Sequence, residues 1–64
     1  MSKLKAKRES AGLSQSDLAE ASGVSLRMIQ YYEQGFKDIN RAAVVTIKRL
    51  ADALECEIDE LIEE

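Results

Sequence analysis

The chain has 64 residues, 45% of them hydrophobic, with no proline and a net charge of −3. That length fits one small domain near the lower limit for folding on a single core. No apolar run approaches the ~18–20 residues of a membrane span, nothing resembles a signal peptide, and one cysteine with no histidine rules out an internal disulfide and a zinc set. The sequence therefore reads as cytoplasmic and free of metal, cofactor and evident small-molecule ligand. Charge is polarised: residues 1–37 hold six Lys/Arg against four acids (net +2), and residues 38–64 hold three against eight (net −5). A polyanionic partner would have to meet the first half of the chain.

Residues 2–11 are predicted to form the first helix. Ser2 is a candidate N-cap and Gly12 a stop, while Leu4, Arg8 and Ala11 share one face. A short second helix is expected from Ser14 to about Ser22, because Ser14 followed three residues later by Asp17 is a capping-box pattern. Gly23 can take the left-handed conformation that closes it. Ser25 then begins a third helix running to about Gln34, with Gly35 as terminator. Two short helices joined by a turn containing Gly make a helix-turn-helix.

The third helix has two unlike faces. Ser25, Met28, Ile29 and Tyr32 form a mostly apolar stripe. Arg27, Gln30, Tyr31 and Gln34 lie on the other side, with no carboxylate among them. A polar outer face is what any solvated helix presents. This one also carries the groups that read base edges in a DNA major groove: Arg binds guanine and Gln binds adenine in a bidentate fashion.

Residues 36–42 form a connection in which Phe36 and Ile39 are expected to fold back on the core and Asn40 to cap the next helix. Val44, Ile47, Leu50, Ala51 and Leu54 mark a fourth helix, from about Ala42 to Leu54, with a continuous buried face. Cys56 reads as a small apolar filler whose acidic surroundings raise its pKa. Glu57 to Glu63 are predicted to make a fifth helix with Ile58, Leu61 and Ile62 facing inward.

Taken together, Gln15, Leu18-Ala19, Gly23-Val24-Ser25, Ile29 and Tyr32-Glu33-Gln34-Gly35 resemble the lambda-repressor/Cro-type (XRE) helix-turn-helix family of bacterial and phage regulators. The likeness extends to Arg8 upstream and Leu50-Ala51-Asp52-Ala53-Leu54 downstream, so it spans nearly the whole chain. It implies an all-α, compact five-helix domain that binds double-stranded DNA, as a repressor or other regulator of transcription. Leu26, Arg27, Gln30 and Tyr31 would read bases, and Gln15, Ser25, Gln34 and Lys37 would contact phosphate. The resemblance also implies a salt bridge between Arg8 and Glu33 that fixes the angle of the recognition helix. Glu55 stands where the family commonly has Gly, which makes that helix end less favourable.

A monomer of this size reads few base pairs, so a weak homodimer on an inverted repeat is expected, with half-sites about 34 Å apart. Ile58, Leu61, Ile62 and the adjoining loop are the candidate interface. A protein-interaction module that kept the fold without specific DNA binding is the alternative, and the acidic second half favours it. No set of residues suggests a catalytic constellation.

Overall fold

Serine hydroxyls start the first three helices of the computed structural model, which describes residues 2–63. Ser2 Oγ accepts from the Lys5 amide at 3.0 Å and opens α1 (Lys3–Ser10). Ser14 Oγ accepts from the Asp17 amide at 2.9 Å while Asp17 Oδ2 accepts from the Ser14 amide at 3.0 Å, so a complete capping box opens α2 (Gln15–Ser22). Ser25 Oγ accepts from the Met28 amide at 3.2 Å and opens α3 (Leu26–Gln34). Each bond satisfies an amide that has no acceptor within its own helix. Gly23 (φ +76°) and Gly35 (φ +84°) close α2 and α3 in the left-handed region, where a side chain would be strained.

A 3₁₀ turn at Ile39–Arg41 leads into α4 (Val44–Ala53), and a second 3₁₀ turn covers Ile58–Glu60. Among the described residues there is no strand. Helix α2 packs against both α3 and α4, α1 lies on α3, and the second 3₁₀ turn lies on α4. Leu4, Leu18, Ile29, Leu50 and Leu61 are fully enclosed at the centre, with Val24, Tyr32, Ile39, Ile47, Ala51 and Leu54 around them. Full burial of such a side chain contributes about 1.5–3 kcal/mol. In a Cα envelope of only 24 × 22 × 22 Å, truncating any of the five removes a large share of the core.

The fifth helix is not formed. Helix nucleation is costly in a seven-residue segment, and a competing partner takes its backbone. The Glu63 amide donates to Asn40 Oδ1 at 2.7 Å, and the Asn40 amide group donates back to the Glu63 carbonyl. Asn40 therefore pins the C-terminal segment and does not cap α4. Asp38 takes the capping role for the first 3₁₀ turn by accepting from the Asn40 amide at 2.9 Å. Ala42, expected to begin the fourth helix, instead closes the 3₁₀ turn in an extended conformation, so α4 starts at Val44 with no side-chain cap.

Three placements also differ from expectation. Val44, at 75% exposed, faces solvent instead of the core; it is the first residue of α4, one turn ahead of the buried Ile47. Phe36 stays outside at 74% exposed, while Ile39 is buried. Leu61, expected at a contact between copies, is fully enclosed and has no surface to offer a second chain; Ile58 and Ile62 are half-buried against the same core.

The end of α4 has a strained residue. The Cys56 amide reaches back to the Ala51 carbonyl at 3.0 Å, which forces Glu55 to φ +56°. A left-handed side chain costs about 1–2 kcal/mol, and glycine gives part of that back through its looser unfolded chain. Glu55→Gly is therefore expected to stabilise the domain by about 0.5–1 kcal/mol. Urea unfolding checks this; an unchanged or lower midpoint contradicts it.

Candidate nucleic-acid interface

Glu33, near the end of α3, joins the first three helices. Arg8 of α1 meets it as a fork, Nε to Oε2 at 2.7 Å and Nη2 to Oε1 at 3.0 Å. The third guanidinium nitrogen, Nη1, donates to the Leu13 carbonyl at 2.8 Å, and Gln15 Nε2 of α2 donates to Glu33 Oε1 at 3.0 Å. The two charged side chains are 10% and 3% exposed. Burial alone pushes the Glu33 carboxyl up. The Arg8 and Gln15 hydrogen bonds and the Arg8 charge outweigh it, and the carboxyl sits below its ordinary value of 4.5. The hydrogen bond to Glu33 raises the Arg8 pKa against the pull of burial, so both partners stay charged.

This node fixes which side of α3 faces out. Ile29 and Tyr32 are buried beneath it, which leaves Leu26 and Arg27 exposed at the start of the outer face and Gln34 exposed at its end. Gln30 and Tyr31 lie between them, half-buried. Among the described residues, neither Arg27 nor Lys37 is paired with a carboxylate, whereas Lys7 and Lys48 are tied to Glu60 and Asp52 at 2.6 and 2.7 Å. The hydrogen bonds they donate to those carboxylates raise the pKa of both lysines. Each end of α3 thus carries a cation with no carboxylate partner among the described residues.

The residues expected at phosphate are arranged around that face. Ser25 Oγ accepts from Met28, so its own proton is free to donate. Gln15 spends one Nε2 proton on Glu33 and keeps the other. The backbone amides of Gln15 and Ser16, in the first turn of α2, have no acceptor within the helix. Lys37 and Gln34 are exposed. Asp17 brings a negative charge to the same helix start, but its carboxylate is turned onto Ser14, and that backbone hydrogen bond lowers its pKa.

Sequence reasoning missed three features. The Gln15–Glu33 bond depends on tertiary placement, the Leu13 carbonyl acceptor on the turn that follows α1, and no sequence motif announces either. The third was legible. Gly35 in the left-handed region brings the Phe36 amide to the Tyr31 carbonyl at 2.9 Å, a helix ending that habitually sets the residue after the glycine against the one five or six back. Phe36 accordingly meets Tyr31 edge to face, ring centres 6.1 Å apart. Cys56 is pushed up first by burial and then by Glu60.

Two short capped helices at a glycine turn, the second aimed outward by a buried ion pair, define a helix-turn-helix protein. A model of the helix-turn-helix family matches residues 4–61, and the chain belongs to that family, of XRE type. Among solved structures it is similar to the restriction-modification controller protein C.AhdI from Aeromonas hydrophila. The two are 35% identical with a TM-score of 0.82, over 94% of this chain and 86% of that one. No curated protein sequence gives a match. Family and neighbour together support DNA-binding transcription regulation.

Breaking the Glu33 node should cost far more than a surface pair. Arg8→Met or Glu33→Met alone strands a buried charge, with an expected loss of about 3–5 kcal/mol. The double variant should lose less than the sum of the two. Additive losses in urea unfolding contradict this. Because the folded carboxyl titrates below the unfolded one, its contribution is fully present above pH 4.5 and is lost as pH falls through the lower folded value. Glu33→Gln should remove that component of acid sensitivity; an identical pH profile below 4.5 contradicts it.

Proposed function

We propose that the chain is a sequence-specific regulator of transcription, most simply a repressor, that sets α3 in the major groove of double-stranded DNA. The observation that carries this is the outer face of α3, where Leu26, unpaired Arg27, Gln30 and Tyr31 stand together without a carboxylate. Arg27 suits the two acceptors of guanine, Gln30 suits adenine, and Leu26 suits a thymine methyl. Gln15, Ser25, Gln34 and Lys37 contact phosphate on either side, with the free amides of α2. The similarity to a restriction-modification controller supports a regulatory role. With +2 on residues 1–37 and −5 beyond, affinity is modest and falls steeply with salt.

Two copies bind an inverted repeat. Abutting copies span about twice the 24 Å Cα extent, enough to set two α3 helices one DNA turn apart, about 34 Å. Leu61 is unavailable for the contact. The exposed apolar pair Val44 and Val45, 75% and 57% exposed at the uncapped start of α4, takes its place, with the half-buried Ile58 and Ile62 behind the same core.

Selection of bound duplexes from a random pool supplies the site for the tests. Arg27→Ala should cost about 1–3 kcal/mol on it and relax choice at one base pair, whereas Lys37→Ala should weaken all sequences alike. Arg27→Ala with unchanged affinity and preference would falsify base reading by α3. Wild type should fill a full site at lower concentration than an isolated half-site, and Val45→Lys should abolish that difference while leaving half-site affinity intact. Equal occupancy of half and full sites by the wild type would make the protein a monomeric module.

A further inference from the structure

An exposed phenylalanine needs a reason when a core lies within reach. Phe36 follows the glycine that ends α3 and is 74% exposed, yet its position is fixed. Its amide and that of Lys37 both donate to the Tyr31 carbonyl, at 2.9 and 3.2 Å, and the Gly35 amide donates to the Tyr32 carbonyl at 3.4 Å. The Phe36 ring meets the Tyr31 ring at 87°, with centres 6.1 Å apart. Tyr31 lies one turn beyond Arg27 and beside Gln30 on the outer face. The aromatic pair therefore extends that face past the last turn of the helix, at the end opposite Leu26. Lys37, the next residue, is an exposed cation placed to hold this turn against a DNA strand.

The chemistry of Phe36 narrows what it could meet there. A hydrocarbon ring offers nothing to phosphate and neither gives nor takes a hydrogen bond at a base edge. The apolar group on the major-groove edge of unmodified DNA is the 5-methyl of thymine. We propose that Phe36, with Tyr31, seats the methyl group of one thymine at the edge of the half-site, making it a specificity-determining residue. This rests on the reading of α3 as the DNA-binding helix. The thymine differs from any met by Leu26, because Leu26 and Tyr31 are five residues apart, about 7.5 Å along the axis, or about two base steps.

The competing role for Phe36 is purely structural, as the hydrophobic partner that closes the turn after α3. Replacing each thymine of the selected site singly by deoxyuridine removes only a methyl group and separates the two. For the wild type, one such replacement should weaken binding about fourfold, the effect of one buried methyl-sized group. Phe36→Ala should weaken binding to the unmodified site by a similar factor and be indifferent to thymine or uracil at that position. Leu26→Ala should remain sensitive there. Thermal unfolding and circular dichroism check that Phe36→Ala is folded, and the Phe36→Leu variant should retain part of the methyl preference. The proposal is overturned if the methyl effect at every position is the same in wild type and Phe36→Ala, or if Phe36→Ala weakens thymine and uracil duplexes alike. Specific binding that depends on Arg27 without any thymine linked to Phe36 overturns this proposal alone. Failure of the wild type to bind any selected duplex overturns the DNA reading with it.

Discussion

One buried carboxylate holds the architecture together. Glu33 accepts from Arg8 of α1 and from Gln15 of α2 while it sits on α3, so the three helices share one polar anchor beside their common core. Hydrophobic packing alone fixes helix orientation loosely, because ridges and grooves tolerate angular scatter of 15–20° or so. A bidentate guanidinium–carboxylate contact is planar and directional. The pair's net stability is limited by desolvation. What it supplies is geometric, because α3 cannot roll about its axis without separating 2.7 and 3.0 Å contacts in a site closed to water.

The distribution of charge obeys the same economy of space. The acidic C-terminal segment is not left to repel a polyanion from a distance. It is drawn onto α1, where the Lys7–Glu60 pair and the bond from the Lys3 amide to the Glu63 carboxylate tie it down. The Glu60 carboxyl is held below its ordinary value by the Glu57 amide and then by Lys7. Lys7 is thereby neutralised, and Arg27 and Lys37 remain unpaired among the described residues at the two ends of α3. A chain of net charge −3 can in this way present a local surface suited to DNA.

Much of this was legible in the sequence wherever the deciding interaction was local. Ser14 and Asp17, Ser25, Gly23 and Gly35 each act within four residues, and the ends they mark for α2 and α3 agree with the structure to within one residue. The inner stripe of α3 was equally readable, as Ile29 and Tyr32 are buried. Legibility failed where a distant partner decided. Residues 57–63 carry a plausible helical pattern, but the Glu63 amide goes to Asn40, twenty-three positions away, and no helix forms. Val44 fits the apolar period of α4 and is nonetheless exposed as its first residue, because a period marks a face and not which of its residues a neighbour covers. The outer face of α3 was legible as chemistry, and the node that aims it depended on family resemblance.

If α3 reads bases as proposed, the Glu33 node must set its angle, and the most direct measurement is the ratio of specific to non-specific DNA affinity in a Glu33→Gln variant. It is taken at a temperature where circular dichroism shows both proteins folded. The substitution keeps the side-chain shape and removes the charge that Arg8 grips. The ratio should fall because α3 is no longer held at its reading angle. Non-specific affinity should stay level or rise slightly with one negative charge fewer. An unchanged ratio, with the selected site still preferred as strongly as by the unsubstituted protein, would contradict the claim that this ion pair aims the recognition helix.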